Sequence, residues 1–319
     1  MTVATARGDA AGRGAAGGRA PGVGRRIGHE LAERAVPAFT ALAILYLLLP
    51  IIVMIIFSFN DPPGRFNFVW GRFSLAAWEN PFARLGLEAA LWTSLIVAAI
   101  STLVATLLGT MVALALTRYS FRGRSAANLF VFIPMATPEI VLGASLLTLF
   151  VATAAEPWHT LTGGALFPLG INTILVAHIM FNISYVVVTV RARMQGFPRH
   201  LEEAAMDLGA NEWTTFWKVT FPLFFPGILA AALLAFSLSI DDFIITNFTS
   251  GTTNTFPVWV WASIRNNLPP QIHVIGTAVF VIAVGLVVVS TVVQNRGNRR
   301  AAQPANVFVG LHGKRAEAE

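Results

Sequence analysis

Six runs of apolar residues, roughly 38–59, 91–116, 127–151, 171–190, 222–246 and 272–293, dominate this 319-residue chain, and four of them contain no Asp, Glu, Lys or Arg. Each is close to the length of about 20 residues that an α-helix needs to cross a hydrocarbon core. A backbone in lipid has no water to satisfy its N–H and C=O groups, so only helices and closed barrels span it. These runs lack the alternating polarity of a barrel strand. The expected fold is therefore all-α, an integral membrane protein of six transmembrane helices within residues 36–295. Composition agrees: 12% of residues are charged and mean hydropathy is +0.66, against about 25% charged in ordinary soluble domains.

A formal net charge of +6 raises nucleic acid as a partner, but a nucleic-acid binder clusters Lys and Arg on one folded face. Here they fall between apolar runs, which excludes that reading and makes membrane lipid the expected surroundings. With the N-terminus inside, 18 of the 22 basic residues lie on the cytoplasmic side, and only Arg65, Arg72, Arg84 and Arg265 lie outside. That asymmetry predicts a multi-pass protein of the cytoplasmic membrane with both termini in the cytoplasm. Residues 1–35, rich in Ala, Gly and Arg, read as a disordered basic tail, and the first apolar run is too long for a signal-peptide core. Residues 296–319 read as a second, cytoplasmic tail.

The chain has no cysteine, hence no disulfide framework and no thiolate metal site. His29-Glu30-Leu31-Ala32-Glu33 lacks the second histidine of a zinc-protease helix, and no phosphate-binding GxxxxGK[ST] loop is present. No dense cluster of His, Asp or Glu and no nucleophile with an evident base marks an enzyme. The sequence therefore predicts no metal, no cofactor and no catalytic residue.

Between the fourth and fifth runs the polarity changes abruptly, in EEAAMDLGANEWTTFWKVTFPLFFPG at residues 202–227. Leu201, Ala205, Leu208 and Phe216 recur at near-helical spacing, with Glu202, Asp207 and Glu212 mostly on other faces. An amphipathic helix over 201–218 is expected, with an apolar face to dock and a charged face to present. Gly209 interrupts it at a cost of about 1 kcal/mol relative to Ala, which implies either a break or close approach of another backbone. Pro222 and Pro226 open the fifth span.

Glu203-Ala204-Ala205, three residues, Gly209, nine residues, Val219 and then Pro222 resembles the EAA motif of binding-protein-dependent ABC importer permeases. Val219 stands for the family's Ile and Phe221 for its Leu. The resemblance implies the six-helix permease fold, with residues 201–218 as a cytoplasmic coupling helix seated in a cleft of a separate ABC ATPase dimer. It further implies that Glu203 makes polar contacts there, that Ala204 and Ala205 permit close packing, that Leu208 belongs to the same docking element, that Gly209 allows a bend and that Pro222 starts the next span. A second permease subunit and an external solute-binding protein are implied as partners, in a bacterial cytoplasmic membrane. Ser58-Phe59-Asn60-Asp61, Phe73-Ser74-Leu75 with Trp78, Pro134 to Glu139 and Ser239-Ile240-Asp241-Asp242-Phe243 look like the spermidine/putrescine permeases, specifically their C-type subunit.

Acids in the spans point the same way, because a charge near the bilayer centre costs about 2.5–3.5 kcal/mol on insertion scales and so faces a cavity or a partner. Glu139 falls about 20 Å into the third run, near mid-membrane, and Asp241 and Asp242 about 29 Å along the fifth, at its external mouth. Acids without Lys or Arg suit a polycation. Glu139 equally suits satisfaction of backbone freed by Pro134 and Pro138, and Asp241 and Asp242 equally suit a helix cap or the docking face of a binding protein. Adjacent carboxylates on a helix diverge by about 100°, so at most one of the pair faces a lumen. His178 and Asn182, one turn apart, either line the path or bond helices together. The competing class is a stand-alone channel or secondary transporter, whose inverted repeats and several intramembrane charges are not evident here.

Overall fold

A computed structural model of the chain describes residues 23–153, 167–196 and 200–301. By contact the chain forms two units, one ending at Ile56 and one beginning at Phe57. Among the described residues the first is helix α1 (Val23–Phe57), with Pro37 and Pro50 inside it. It starts within the stretch 1–35 expected to be a tail, because Glu30, Leu31, Ala32, Glu33 and Arg34 are strong helix formers that let the apolar helix propagate backwards. Residues 1–22 of that tail lie outside the described residues.

The second unit opens with two-residue strands β1 (Asn60–Asp61) and β2 (Arg72–Phe73), paired antiparallel with Asn60 opposite Phe73. Helices α2 (Ala76–Glu79), α3 (Leu87–Arg118), α4 (Arg124–Ala136), α5 (Glu139–Ala152) and α6 (Ile171–Gln195) follow. Then come α7 (His200–Asp207), α8 (Glu212–Thr215), a π-helical turn (Phe216–Thr220), α9 (Phe221–Ile240), α10 (Ile244–Thr249), α11 (Phe256–Asn266) and α12 (Pro270–Ala301).

The centre of this unit is the triple contact of α3, α6 and α9. Ala113, Leu116, Val186, Val187, Val190, Phe224 and Ala231 are buried in it. Small residues let the backbones close up: a Cβ on Gly109 would stand 2.7 Å from Val186 Cγ1, as the packing of apolar helices in lipid requires. Gly285 faces open space among the described residues. A second cluster joins α5, α6 and α10 through Leu146, Phe150, Ala177, Phe181 and Ile245.

Three expected spans depart from their expected bounds. The third run breaks into α4 and α5, bent by 107°. Pro138 is the cause: it biases the residue before it towards extended backbone, and Thr137 has ψ 131°. The fifth run stops at Ile240, and Asp241 to Phe243 turn the chain into the short α10. The sixth becomes α12, which runs past residue 295 to Ala301. Among the described residues four helical stretches are long and apolar enough to cross a membrane: Arg34–Phe57, Leu87–Arg118, Ile171–Gln195 and Glu212–Ile240. The bent pair makes five if it is one crossing, and α12 carries a further apolar stretch, Pro270–Gly285 among the described residues, within a helix of 32 residues. The third expected span is thus a bent pair of helices and not one straight rod, within an architecture that is mostly helical.

Candidate functional site

The EAA segment is two helices set at a corner. Gly209 has φ +90°, a left-handed conformation that glycine adopts without penalty. Gly209 N–H bonds to Met206 O at 2.9 Å and Ala210 N–H to Ala205 O at 3.1 Å. Those two bonds are the pair that closes a helix in a Schellman motif, satisfying its last carbonyls. Nothing stands within 4 Å of where a Cβ on Gly209 would be, so the glycine serves the break and not a close approach. Asn211 then caps α8, its Oδ1 accepting from Thr214 N–H at 2.8 Å. The single helix expected over 201–218 is therefore corrected to α7, a turn at 208–211, α8 and the π turn that feeds α9.

Most of α7 is exposed in this subunit. Leu208 is 90% exposed, Leu201, Glu203 and Ala204 are exposed, and Ala205 is half-buried. The only buried residue of α7 is Glu202. Its carboxylate takes both prongs of the Arg118 guanidinium at the end of α3: Nη1 donates to Oε2 at 2.7 Å and Nη2 donates to Oε1. Thr220 Oγ1 also donates to Oε1, and the guanidinium carbon lies 5.9 Å from the Phe224 ring centroid. A buried carboxylate needs a charged partner, and Arg118 is one that the described residues supply. Pro222 occupies the first turn of α9, where a missing N–H costs nothing.

His178 is 3% exposed in α6 and joins three helices. Its Nδ1 is 2.7 Å from Ser239 Oγ on α9, its Nε2 2.9 Å from Thr246 Oγ1 on α10. Ser239 Oγ is in turn 3.0 Å from Ser101 Oγ on α3. Asp242 Oδ2 accepts from Thr246 N–H at 2.8 Å and from Thr246 Oγ1 at 2.7 Å, and lies 3.3 Å from His178 Nε2. One proton order is consistent with these contacts, with the Ser101 hydroxyl shared between Ser239 and Ala98 O, 3.3 Å away. Thr246 spends its hydroxyl proton on Asp242, so Nε2–H donates to Thr246, and Nδ1 accepts from Ser239, which accepts from Ser101. The hydroxyl, imidazole and carboxylate follow the order of a hydrolase relay, but Ser239 is 5% exposed, which leaves a substrate no approach.

The proposed path residues therefore separate. His178 and Asp242 belong to this buried knot, where Asp242 caps α10. Asn182 is 1% exposed, and neither end of its amide has a partner among the described residues. Asp241, at the C-terminus of α9, and Glu139, in the first turn of α5, are exposed. A carboxylate at a helix N-terminus is favoured by the helix dipole.

At the other end of α3, the residues Ser58 to Asp61, Phe73 to Leu75 and Trp78 come together. Trp78 Nε1–H donates to Ser58 Oγ at 3.2 Å, and Phe59 stacks on Phe73 and Trp78 at centroid distances of 5.8 and 5.5 Å. Asn60 ties the strand pair, donating to Asn67 Oδ1 at 2.6 Å and accepting from Gly71 N–H at 2.8 Å. The Asn60–Asn67 pair had no signal in the sequence beyond the presence of Asn60 in the quoted stretch.

Residues 105–303 match the family described as the binding-protein-dependent transport system inner membrane component. The spermidine/putrescine transport system permease protein PotC of Haemophilus influenzae is 33% identical over 262 residues, 82% of this chain and 96% of that protein. The putrescine transport system permease protein PotI of Escherichia coli K12 is 35% identical over 244 residues, 76% of this chain and 84% of that one. Among solved structures, a bacterial ABC transporter involved in import of the acidic polysaccharide alginate aligns with a TM-score of 0.55 at 17% identity, covering 83% of this chain and 96% of its own. A bacterial alginate ABC transporter in complex with a pentasaccharide-bound periplasmic protein aligns at 0.61 and 16% identity, covering 88% and 98%. At these identities the structures speak to the fold.

Proposed function

Since this chain belongs to the family of binding-protein-dependent transport system inner membrane components, we propose that it is the permease subunit of an ATP-driven ABC importer for the polyamines spermidine or putrescine. The observation that carries this reading is the identity of 33% and 35% to polyamine permeases along most of both chains. The chain forms half of a translocation path whose other half is a second permease. An external binding protein delivers the solute, and a cytoplasmic ATPase dimer, docked on the exposed Glu203, Ala204 and Leu208, hydrolyses ATP. The subunit binds no cofactor and no nucleic acid, and both termini are cytoplasmic.

A side chain that touches solute between two subunits has to be exposed in one subunit alone. Glu139 and Asp241 meet that condition, and His178 and Asn182, at 3% and 1% exposure, do not. The two exposed acids are thus the candidate contacts for a polycation, and Asp242 holds the α9–α10 corner.

The test is to purify the tagged protein gently from its own membrane, identify what accompanies it, and measure ATP-dependent uptake of spermidine and putrescine by the reconstituted complex. Recovery of an ATPase, a second permease and a binding protein, with saturable polyamine uptake, is the expected result. A chain that purifies alone even after crosslinking at residues 201–218 overturns the importer reading. A complete complex that imports a different solute overturns only the substrate.

A further inference from the structure

We propose that Glu202, the residue before the EAA triplet, is the positioning residue that fastens the docking helix α7 to the membrane helices, by gripping Arg118 of α3 and Thr220 at the entry to α9. This inference rests on the importer reading above and adds the point at which force enters the bundle.

Helix α7 is eight residues long. It ends at a glycine turn, and among the described elements it packs chiefly against α8 and the π turn. No apolar side chain of α7 is buried, and Glu202 is its single inserted residue. A helix held that way pivots about its anchor, so the anchor's geometry decides how a push on the exposed Glu203, Ala204 and Leu208 is passed on. An apolar anchor slides and rotates at little cost. The Arg118 fork, by contrast, meets the carboxylate with two parallel bonds in one plane, which fixes direction as well as distance. Thr220 adds a third bond to the same carboxylate from the last residue of the π turn.

One carboxylate thus joins three elements: the end of α3, the docking helix and the start of α9. Of these, α3 and α9 are the helices that, with α6, make the buried core. The clasp sits in a cleft of about 900 Å³ bounded by Tyr119, Met206, Glu212 and Trp213, and Arg118 and Glu202 retain side-chain exposures of 29% and 12%. Partial burial matters here. A buried ion pair is often no more stabilising than well-packed apolar residues in its place, and its best-attested use is to specify an arrangement. The prediction that separates positioning from stability is therefore that an apolar pair folds and assembles but transmits poorly.

The experiment uses the full complex in proteoliposomes, with ATP hydrolysis and polyamine uptake measured on the same vesicles. The variants are Glu202→Gln, the pair Arg118→Met with Glu202→Met, and the exchange Arg118→Glu with Glu202→Arg. The apolar pair is expected to reach wild-type amounts of assembled complex while the ATP consumed per polyamine imported rises about tenfold, the scale at which single sites modulate coupling. Glu202→Gln is expected to raise the ratio less, and the exchange to bring it back to within about threefold of wild type. A wild-type ratio in the apolar pair overturns the proposal, as does an exchange variant no better coupled than the apolar pair. Loss of assembly in the apolar pair also overturns it, because the clasp would then be serving stability. A wild-type complex that hydrolyses ATP without importing polyamine overturns the functional reading itself, and is distinguishable because no variant is involved.

Discussion

Gly209 has φ +90° with open space around it, so its substitution isolates backbone strain from crowding. A left-handed conformation costs an L-residue about 1–2 kcal/mol, with Asn the least penalised. Uptake is expected to fall in the order Gly, Asn, Ala, Val at this position, with membrane insertion unchanged and the helix break shifting as the Schellman bonds are lost. Equal uptake by Asn and Val variants would show that the break is not needed. A second residue-scale expectation concerns the His178 knot. Asp242→Asn keeps an acceptor for Thr246 N–H and loses only the ionic component, whereas Asp242→Ala strands buried donors at about 1–3 kcal/mol each. Thermal unfolding of the purified protein, followed by its eight Trp residues, should rank Asp242→Ala well below Asp242→Asn, with uptake following stability. If both variants unfold like wild type while uptake collapses, Asp242 belongs to the path and not to the knot.

At the scale of elements, the contact of α3 with α6 depends on Gly109. A Cβ there would meet Val186 Cγ1 at 2.7 Å and Val186 Cβ at 2.8 Å, and overpacking a tight interior costs about 1–3 kcal/mol. Gly109→Ala should therefore lower the unfolding temperature, and adding Val186→Ala should restore much of it, since the second change removes the atoms that collide. Additive losses in the double variant would mean the helices separate instead of sharing one contact. The same economy of space was partly legible from composition: Gly109 in an apolar run is a recognisable packing residue. The break between α4 and α5 was less so. Pro134 and Pro138 are both visible in the third run, but Pro134 is accommodated inside α4 while Pro138 turns the chain, and proline spacing alone does not distinguish the two outcomes.

For the whole molecule, what the sequence discloses is whatever depends on local pattern. Apolar length gives α3, α6 and α9, and the fixed spacing of Glu203, Ala204, Ala205 and Gly209 gives the family. What it withholds is pairing across distance. Arg118 and Glu202 are 84 positions apart, and Glu202 carries no mark that separates it from Glu203 except burial. His178 and Asp242 were each recognisable as polar residues in apolar surroundings, yet their partnership arises only when α6 and α10 pack. Orientation is the remaining property of the whole chain, and it rests on charge: with 18 of 22 basic residues on one side, the segment 201–218 is expected to face the cytoplasm. The absence of cysteine makes this directly measurable, because a single introduced thiol is the only target of a maleimide. Gly64→Cys replaces an exposed residue with nothing within 4 Å of its new Cβ, and Leu208→Cys replaces a side chain 90% exposed. An impermeant maleimide should label Gly64→Cys on intact cells stripped of their outer layers and leave Leu208→Cys untouched until the membrane is opened. Inside-out vesicles should reverse the pattern, and adding back the ATPase should shield Leu208→Cys. Labelling of Leu208→Cys from outside would invert the topology and remove α7 from the compartment that holds ATP, and with it the basis for coupling through Glu202.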